Sequence, residues 1–312
     1  MKSEKLVALA LLLTFFVMSC EQRKPVSTTT GALRVEVDES ISNVLRAIAD
    51  SFQLTYTQSK ITVVPVEARE AIADFINDSV RVIVTAREFN EEELAVLKKY
   101  PDIEWKGYKC ALDAVAVIGH KNNPLKQLRV SELDSIFEGS LTRWSTTSQR
   151  GGKGKLIDVS IGGINSSVNE VFRKKILKDK PFTPTALKIS STDSLVKYVE
   201  KNPNAIGIVG INWLRNRKEN LTVFALGQPG SRPDSTEDFG RYYTPVQAHI
   251  YRNYYPITRP VFIYSREYGY TVAAGFIAYV NAVHGQQRFL NEGLVPVTMP
   301  VRLVETTSKQ VQ

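Results

Sequence analysis

The chain has 312 residues, a formal net charge of +8, 43% hydrophobic residues and two cysteines. This length exceeds what one hydrophobic core usually serves, so we expect two lobes of about 100 to 200 residues each. The basic balance favours an anionic solute or an anionic membrane surface, and not nucleic acid, because the lysines and arginines form no stripe beside aromatic residues.

The N-terminus is typical of an export signal. Two lysines precede an uncharged apolar run, Leu6 to Val17, that is shorter than the ~20 residues needed to span a bilayer. The run ends in Val17-Met18-Ser19-Cys20, which resembles the lipobox where a lipoprotein signal is cut and its cysteine receives lipid. A plain secretory signal or an uncleaved anchor is the alternative. We predict that residues 1–19 are removed and that Cys20 becomes the lipidated first residue.

A lipidated Cys20 would anchor the protein to a membrane of the cell envelope, facing the periplasm, because each buried methylene contributes about 0.8 kcal/mol. Residues 20–30 are polar and are predicted to form a flexible tether. The signal carries two lysines and one glutamate, so its removal leaves a charge of +7. Cys110 is then the one other thiol, and we expect no intramolecular disulfide.

Short apolar runs alternate with helical periodicity along the mature chain, which predicts βαβ units and an α/β fold. The predicted strands are residues 33–37, 61–66, 80–84, 114–118, 158–161, 205–209 and 260–264. The predicted helices are residues 41–52, 72–76, 133–137, 168–177, 193–199 and 272–280. A further helix begins after Asn90, where Glu93 completes a capping box. Residues 150–155 and 227–244 are predicted to be loops.

Several segments resemble, in order and spacing, the phosphate-binding component of ABC transporters. They are residues 113–118 (DAVAVI), 123–125 (NPL), 136–139 (IFEG) with Trp144, 205–209 (AIGIV), 255–260 (YPITRP), 285–286 (GQ) and 293–296 (GLVP). Together they extend over nearly all of the mature chain. The sequence is identified as a divergent member of this periplasmic family.

The resemblance implies a two-lobed periplasmic-binding-protein fold of type II, with mixed sheets flanked by helices. The lobes would be discontinuous, joined by crossing strands, and would close over a ligand in the cleft between them. Lobe one would comprise residues 31–113 and 257–304, and lobe two residues 114–256. Residues 305–312 would form a tail.

An oxyanion site in such a cleft needs donors that point inward: amides at helix N-termini, hydroxyls and an arginine. The resemblance implies that four loops supply them. The first reads Asp38-Glu39-Ser40, from which we expect Ser40 to donate its hydroxyl, with Glu39 beside it. The alternative is that Asp38 or Ser40 only caps a helix. Two carboxylates here would repel a dianion.

The second loop, Glu67-Ala68-Arg69-Glu70, lacks the glycines that let the family's backbone amides approach the anion. The guanidinium of Arg69 would replace these lost donors. A solvated charged turn is the alternative. The third loop, Thr85-Ala86-Arg87, is similar to the family's S-S-R turn, so Thr85 and Arg87 are the first candidates for the site. The competing interpretation makes Arg87 a salt-bridge residue of the lobe surface.

The fourth loop reads Asn165-Ser166-Ser167-Val168, where the family has an S-G-T turn preceded by an arginine that is missing here. Asn165, Ser166 and Ser167 are candidate donors, although Ser167 with Glu170 also fits a capping box. Each lost charge-assisted hydrogen bond removes about 1.5 to 3 kcal/mol. The altered loops therefore predict a weakened affinity for phosphate.

The resemblance implies a lipid-anchored solute-binding protein that delivers a small oxyanion, phosphate first, to an ABC permease. The altered loops leave a second interpretation open: a binding or scaffold module that contacts another envelope membrane complex. An enzyme is not expected, because the three histidines share no metal-ligand spacing. Cys110 has no neighbouring base and is expected to be a buried small hydrophobe. No cofactor or metal is expected.

Overall fold

A computed structural model describes residues 27–100, 104–144, 154–215, 217, 219–227 and 241–299. Cys20, the predicted signal and the predicted tail lie outside these ranges. No helix within them is long and apolar enough to cross a membrane. Residues 27–30, predicted to belong to the tether, form a turn closed by a β-bridge. The Thr28 carbonyl lies where a Cβ on Gly275 would stand, so this part of the predicted tether is packed against the fold.

The strands and helices alternate as predicted. The strands are β1 (Gly31–Asp38), β2 (Ser59–Val66), β3 (Val82–Thr85), β4 (Lys106–His120), β5 (Gln127–Arg129), β6 (Asp158–Ile161), β7 (Leu187–Lys188), β8 (Ala205–Gly210), β9 (Leu221–Val223), β10 (Ala225–Gly227), β11 (Tyr242–Tyr243), β12 (Thr258–Ser265) and β13 (Val295–Pro296). The helices are α1 (Ser42–Thr55), α2 (Ala68–Ile76), α3 (Glu91–Lys98), α4 (Val130–Glu138), α5 (Ser167–Phe172), α6 (Thr192–Lys201), α7 (Gln247–Tyr251), α8 (Val272–Asn281) and α9 (Val283–Asn291). Two short 3-10 turns are also present: Glu39–Ile41 follows β1, and Ile211–Leu214 follows β8.

Two local features test the predicted helix ends. The capping box is confirmed: the Glu93 amide donates to Asn90 Oδ1, and the Asn90 amide donates to Glu93 Oε2, both at 2.8 Å. The helix predicted over residues 168–177 is α-helical only as far as Phe172 and then continues as a π-helical turn, Arg173–Leu177. Hydrophobic spacing alone does not distinguish these two helical forms.

A long strand joins the two halves of the molecule. The main sheet has the order β2-β1-β3-β12-β4-β8-β6-β7. β4 is 15 residues long; it pairs with β12 as far as Ala114 and with β8 from Val115 onward. The predicted crossing strand is therefore present. We call β1–β3, β12, β13 and the first part of β4, with α1–α3, α8 and α9, lobe one, and the remainder lobe two.

Each lobe has its own core. On α1, Val44, Leu45, Ile48 and Phe52 recur at helical spacing and are fully buried. Phe52 meets Phe276 of α8 edge to face, with ring centroids 5.6 Å apart. Each such side chain contributes about 1.5 to 3 kcal/mol through burial. A separate core in lobe two surrounds α4 and α5, so the cleft between the cores is where the lobes can move.

The lobes present the carboxyl ends of their parallel strands to one another. β1, β2 and β3 are parallel and end at Asp38, Val66 and Thr85. In lobe two, β6 and β8 are parallel and end at Ile161 and Gly210. The loops that leave these ends begin helices, so amide donors and polar side chains gather between the lobes, as in other open α/β sheets.

Candidate functional site

A cavity of about 200 Å³ lies between the lobes at these strand ends. It is lined by three carboxylates of lobe one and by hydroxyl groups of both lobes: Asp38, Glu39, Glu67, Ser40, Ser166, Ser190 and Thr192. None of the described residues that line it is a lysine or an arginine. The cleft is therefore acidic although the chain as a whole carries +8, the reverse of what the net charge favoured.

The Asp38 carboxylate lies at the cavity floor and is 1% exposed. Its Oδ1 accepts hydrogen bonds from the Ser40 amide at 3.1 Å and from the Ser40 hydroxyl at 2.8 Å. Its Oδ2 accepts from the Ala86 amide at 3.2 Å and from the Ser167 hydroxyl. Four donors, drawn from both lobes, converge on this one carboxylate.

Arg259, at the start of β12, stands behind the two hydroxyls. Its Nη1 donates to Ser167 Oγ at 2.7 Å, and its Nη2 donates to Ser40 Oγ at 3.0 Å. Its Nε donates to Asp113 Oδ2 at 2.8 Å, and the Arg259 and Asp113 side chains are fully buried. We refer to Ser40, Ala86, Ser167 and Arg259 as the donor cluster.

Gly210 makes room for this buried ion pair. A Cβ at Gly210 would lie 2.8 Å from Arg259 Nη2 and 3.2 Å from Asp113 Oδ2. Burial raises the pKa of the Asp113 carboxyl, and the adjacent guanidinium opposes that rise. Because Arg259 is paired with Asp113, the Asp38 carboxylate depends mainly on amides and hydroxyls for its stabilisation.

The other two cavity carboxylates also reach from lobe one to lobe two. Glu39 accepts from the Thr192 amide at 3.1 Å and from the Thr192 hydroxyl at 2.5 Å, at the first residue of α6. Glu67 Oε2 accepts from the Asn165 amide at 3.0 Å. We call Asp38, Glu39 and Glu67 the cross-lobe carboxylates. They accept hydrogen bonds from amides and hydroxyls of lobe two, which are the donors that a bound anion would use.

The Ser40 carbonyl forms a further contact between the lobes. It accepts from Asn212 Nδ2 at 3.0 Å and from Trp213 Nε1 at 2.8 Å, both in the 3-10 turn that follows β8. With the cross-lobe carboxylates, these bonds hold the cleft closed over the cavity by groups of the chain itself.

Five of the predicted site residues lie at this cleft. Ser40 and Glu39 contribute as described, and the Asn165 amide reaches Glu67 although the Asn165 side chain is exposed. Ser166, and not Ser167, is the N-cap of α5, since its Oγ accepts from the Asn169 amide at 3.3 Å. The Ser167 hydroxyl is thereby left for the donor cluster, so the capping-box interpretation of Ser167 is wrong.

Arg87, the first candidate from the sequence, does not line the cavity. Its Nη1 and Nη2 donate to the two oxygens of Glu93 at 2.7 Å, and its Nε lies 2.8 Å from Glu170 Oε2. Its Nη1 also donates to the Glu88 carbonyl at 2.8 Å. Arg87 is therefore a salt-bridge residue, but it is buried and joins lobe one to α5 of lobe two, whereas the competing interpretation placed it on a lobe surface.

Thr85 and Arg69 are likewise not brought to the cavity. The Thr85 hydroxyl donates to the Arg87 carbonyl at 2.8 Å and so stabilises its own turn. The Arg69 side chain is exposed on α2, and only the Arg69 amide approaches lobe two, at 3.3 Å from the Asn165 carbonyl. Their predicted roles as anion donors are corrected, because both loops direct these side chains elsewhere.

Sequence reasoning missed Arg259 and Asp113 as site residues and considered Asp38 only as a cap or as a charge that would repel a dianion. A signal was present for Arg259. It alternates with Val261 and Ile263 on the buried face of β12, and an arginine on such a face requires a buried carboxylate partner. The short-range pattern around Asp38 is that of a helix cap, whereas its partners Ala86 and Ser167 are distant in sequence.

Other chemistry has little support among the described residues. They contain no group of three or more His, Cys, Asp or Glu side chains placed to hold a metal ion. Cys110 is buried, as predicted, and burial raises the pKa of its thiol to about 12. A thiol that stays protonated at neutral pH is a poor nucleophile.

Comparison with known proteins identifies relatives of this chain. A model of the PBP superfamily domain matches residues 23–282. A phosphate-binding protein PstS of Staphylococcus aureus is 23% identical over 246 residues, which cover 77% of this chain and 70% of that protein.

Two solved structures share the fold. One, from Clostridium perfringens, is described as a phosphate ABC transporter substrate-binding protein with bound phosphate; it aligns with a TM-score of 0.71 at 20% identity, over 86% of this chain and 100% of its own. An ABC-type phosphate transport receptor from Vibrio cholerae aligns with a TM-score of 0.63 at 17% identity, over 86% and 100%. Both are similar to this chain in fold.

Proposed function

Because the chain belongs to the PBP superfamily, we propose that it is a binding protein of the cell envelope that takes a small oxyanion, phosphate first, into the cleft between its lobes. The relatives and solved structures described above bind or transport phosphate by name. This protein would deliver the anion to an ABC permease, and it would act without a catalytic step.

The donor cluster carries the proposal. Two hydroxyls and a backbone amide from separate loops converge on one point, and a guanidinium supports both hydroxyls. Hydroxyls, amides and arginine are the donors that oxyanions use in proteins. The cluster already coordinates a carboxylate, that of Asp38, which has the charge and oxygen geometry of part of an oxyanion.

Lipid attachment at Cys20 is part of the proposal and rests on the lipobox-like run that ends there. In a native host, the wild-type chain is expected in the membrane fraction with the mass of an acylated N-terminus. Cys20→Ala is expected to leave the membrane fraction. Retention of Cys20→Ala in the membrane without acylation would contradict the lipid anchor.

A second candidate function is favoured by a different observation. The cross-lobe carboxylates join the lobes through hydrogen bonds of the chain itself, as suits a module that binds another envelope membrane complex and no longer transports. Purification from detergent extracts would then yield a membrane partner and no small anion in the cleft.

Calorimetry on the mature chain with phosphate, sulfate, molybdate and small carboxylates tests the first candidate. We expect saturable heat with phosphate that is lost in Ser167→Ala, because this substitution removes a lobe-two donor while leaving the helix cap, Ser166, in place. No heat and no thermal shift with any of these anions would contradict oxyanion binding and favour the second candidate.

A further inference from the structure

The Asp38 carboxylate occupies the point on which the donor cluster converges. We propose that Asp38 is an intramolecular ligand: it holds the oxyanion position in the free protein, and an incoming oxyanion must displace it. This inference rests on the proposed function, since the same donors are involved. It makes Asp38 the residue that sets the affinity of the cleft.

A capping role accounts for only part of what Asp38 contacts. The turn Glu39–Ile41 needs one acceptor for the Ser40 amide, and Oδ1 supplies it. Oδ2 accepts instead from Ala86, 48 positions along the chain, and from Ser167, 129 positions along the chain and in the other lobe. Coordination of both oxygens by donors from separate loops is the pattern of a bound anion.

The charges around the cavity favour binding of phosphate in place of the Asp38 carboxylate over binding of phosphate beside it. Arg259 lies 2.6 Å from Asp113 and is already neutralised by it. A phosphate beside an unmoved Asp38 would face that carboxylate together with Glu39 and Glu67. Like charges repel more strongly in a buried site than in water. Rotating Asp38 off the donors increases the distance between the two charges and frees its four donors together.

The cavity has room for the exchange. Its volume of about 200 Å³ borders Asp38 and Ser40 directly, whereas one water occupies about 30 Å³ of the liquid. A tetrahedral anion of a few water volumes and a rotated Asp38 side chain therefore fit together.

Titration of inorganic phosphate into wild type and Asp38→Ser tests the displacement. Serine keeps an acceptor for the Ser40 amide and removes the charge. We expect Asp38→Ser to bind phosphate at least about ten-fold more tightly than wild type, because each freed donor can make a charge-assisted bond. Asp38→Asn, with the same shape and no charge, is expected to lie between them. Asp50→Ser, at an exposed position of α1, is the matched control and is expected to bind like wild type.

Glu39→Gln tests whether a gain in affinity comes from freeing the donors or only from removing a negative charge. It removes one negative charge from the same cavity but leaves Asp38 on the donor cluster, so we expect a smaller gain than in Asp38→Ser. An equal gain in Glu39→Gln overturns the inference. Wild type that binds phosphate as tightly as Asp38→Ser also overturns it and leaves the proposed function standing. No heat in wild type, Asp38→Ser and Asp38→Asn, with cooperative unfolding in all three, overturns both.

Discussion

Arg87 and Arg259 are both buried arginines at the junction of the lobes, exposed by 5% and 1%. Arg87 is surrounded by two carboxylates, those of Glu93 and Glu170, and lies away from the cavity. Arg259 has one carboxylate partner, Asp113, and directs its remaining N–H groups to hydroxyls at the cavity floor. The number of carboxylates around each guanidinium decides its role.

This comparison explains why a motif position is a poor guide to an anion site. Arg87 stands in the turn that resembles the family's arginine turn, but Glu170 arrives from the other lobe and completes its neutralisation. Arg259 stands in a strand, with no local sign of a binding role. An arginine supports an oxyanion only where its own partners leave N–H groups for the ligand or for the hydroxyls that bind it.

The largest expected effect is at Arg259. In Arg259→Met, Asp113 remains buried without its counter-charge, which costs about 3 to 5 kcal/mol of unfolding free energy. Denaturant unfolding measures this loss. The double variant Asp113→Asn, Arg259→Met is expected to recover part of it, because the uncompensated charge is then absent. A loss of similar size in the double variant would contradict the ion-pair account.

Arg87→Met is expected to be milder. Glu93 and Glu170 are 12% and 27% exposed at their side chains, so water can solvate them after the arginine is lost, and we expect about 1 to 3 kcal/mol of destabilisation. Denaturant unfolding again provides the measurement. Phosphate affinity, measured by calorimetry on the folded variant, is expected to stay near that of wild type. A selective loss of phosphate binding in Arg87→Met would reverse the roles assigned to the two arginines.

Gly163→Ala is expected to weaken the contact between the lobes at Glu67 with little loss of stability. A Cβ at this position would lie 1.6 Å from Glu67 Oε1, so the Glu67 side chain must shift, and we expect its bond with the Asn165 amide to be lost. The clashing atom is the end of a flexible side chain that can shift at small cost, so we expect unfolding free energy to change by about 0.5 kcal/mol or less. Small-angle scattering is expected to report a larger radius of gyration. Gly162→Ala, whose Cβ would meet only Ser166 Oγ at 3.7 Å, is the matched control.

The smallest expected effect is a pH dependence from Glu39. Burial raises the pKa of Glu39, and the hydrogen bonds from Thr192 oppose the rise. A carboxyl with a raised folded-state pKa binds more protons when folded, so its contribution is present below the unfolded pKa and is lost as pH rises through the folded pKa. We therefore expect the unfolding free energy of wild type, relative to that of Glu39→Gln, to be higher at acidic pH than at neutral pH. Denaturant unfolding at the two pH values measures this difference. A difference that is flat with pH would contradict this.

Much of the fold could be predicted from the sequence because its signals are local. Helical spacing along α1, the apolar runs of β3 and β8, and the capping box at Asn90 each depend on residues within one turn or strand. The order of the family-like segments also predicted that a strand crosses between the lobes, and that strand is β4. The π-helical turn Arg173–Leu177 was missed, since its apolar spacing is also that of an α-helix.

The site was predictable only in part, because its decisive contacts are between lobes. Ser40 and Ser167 were expected at the cleft from their loops, whereas the use of both by Arg259 depends on tertiary placement. The carboxylates of Asp38 and Glu39 were noted in the first loop, but the net charge of +8 favoured a basic cleft. Glu67 was treated as part of a solvated turn, and the structure instead places it against Asn165.

The central claim is that the donor cluster is an oxyanion site held by the Asp38 carboxylate. A crystal structure of Asp38→Ser grown with phosphate tests it most directly. The account predicts tetrahedral density within hydrogen-bonding distance of Ser40 Oγ, the Ala86 amide and Ser167 Oγ. A donor cluster that holds only water at saturating phosphate, or phosphate bound elsewhere in the cleft, would contradict it.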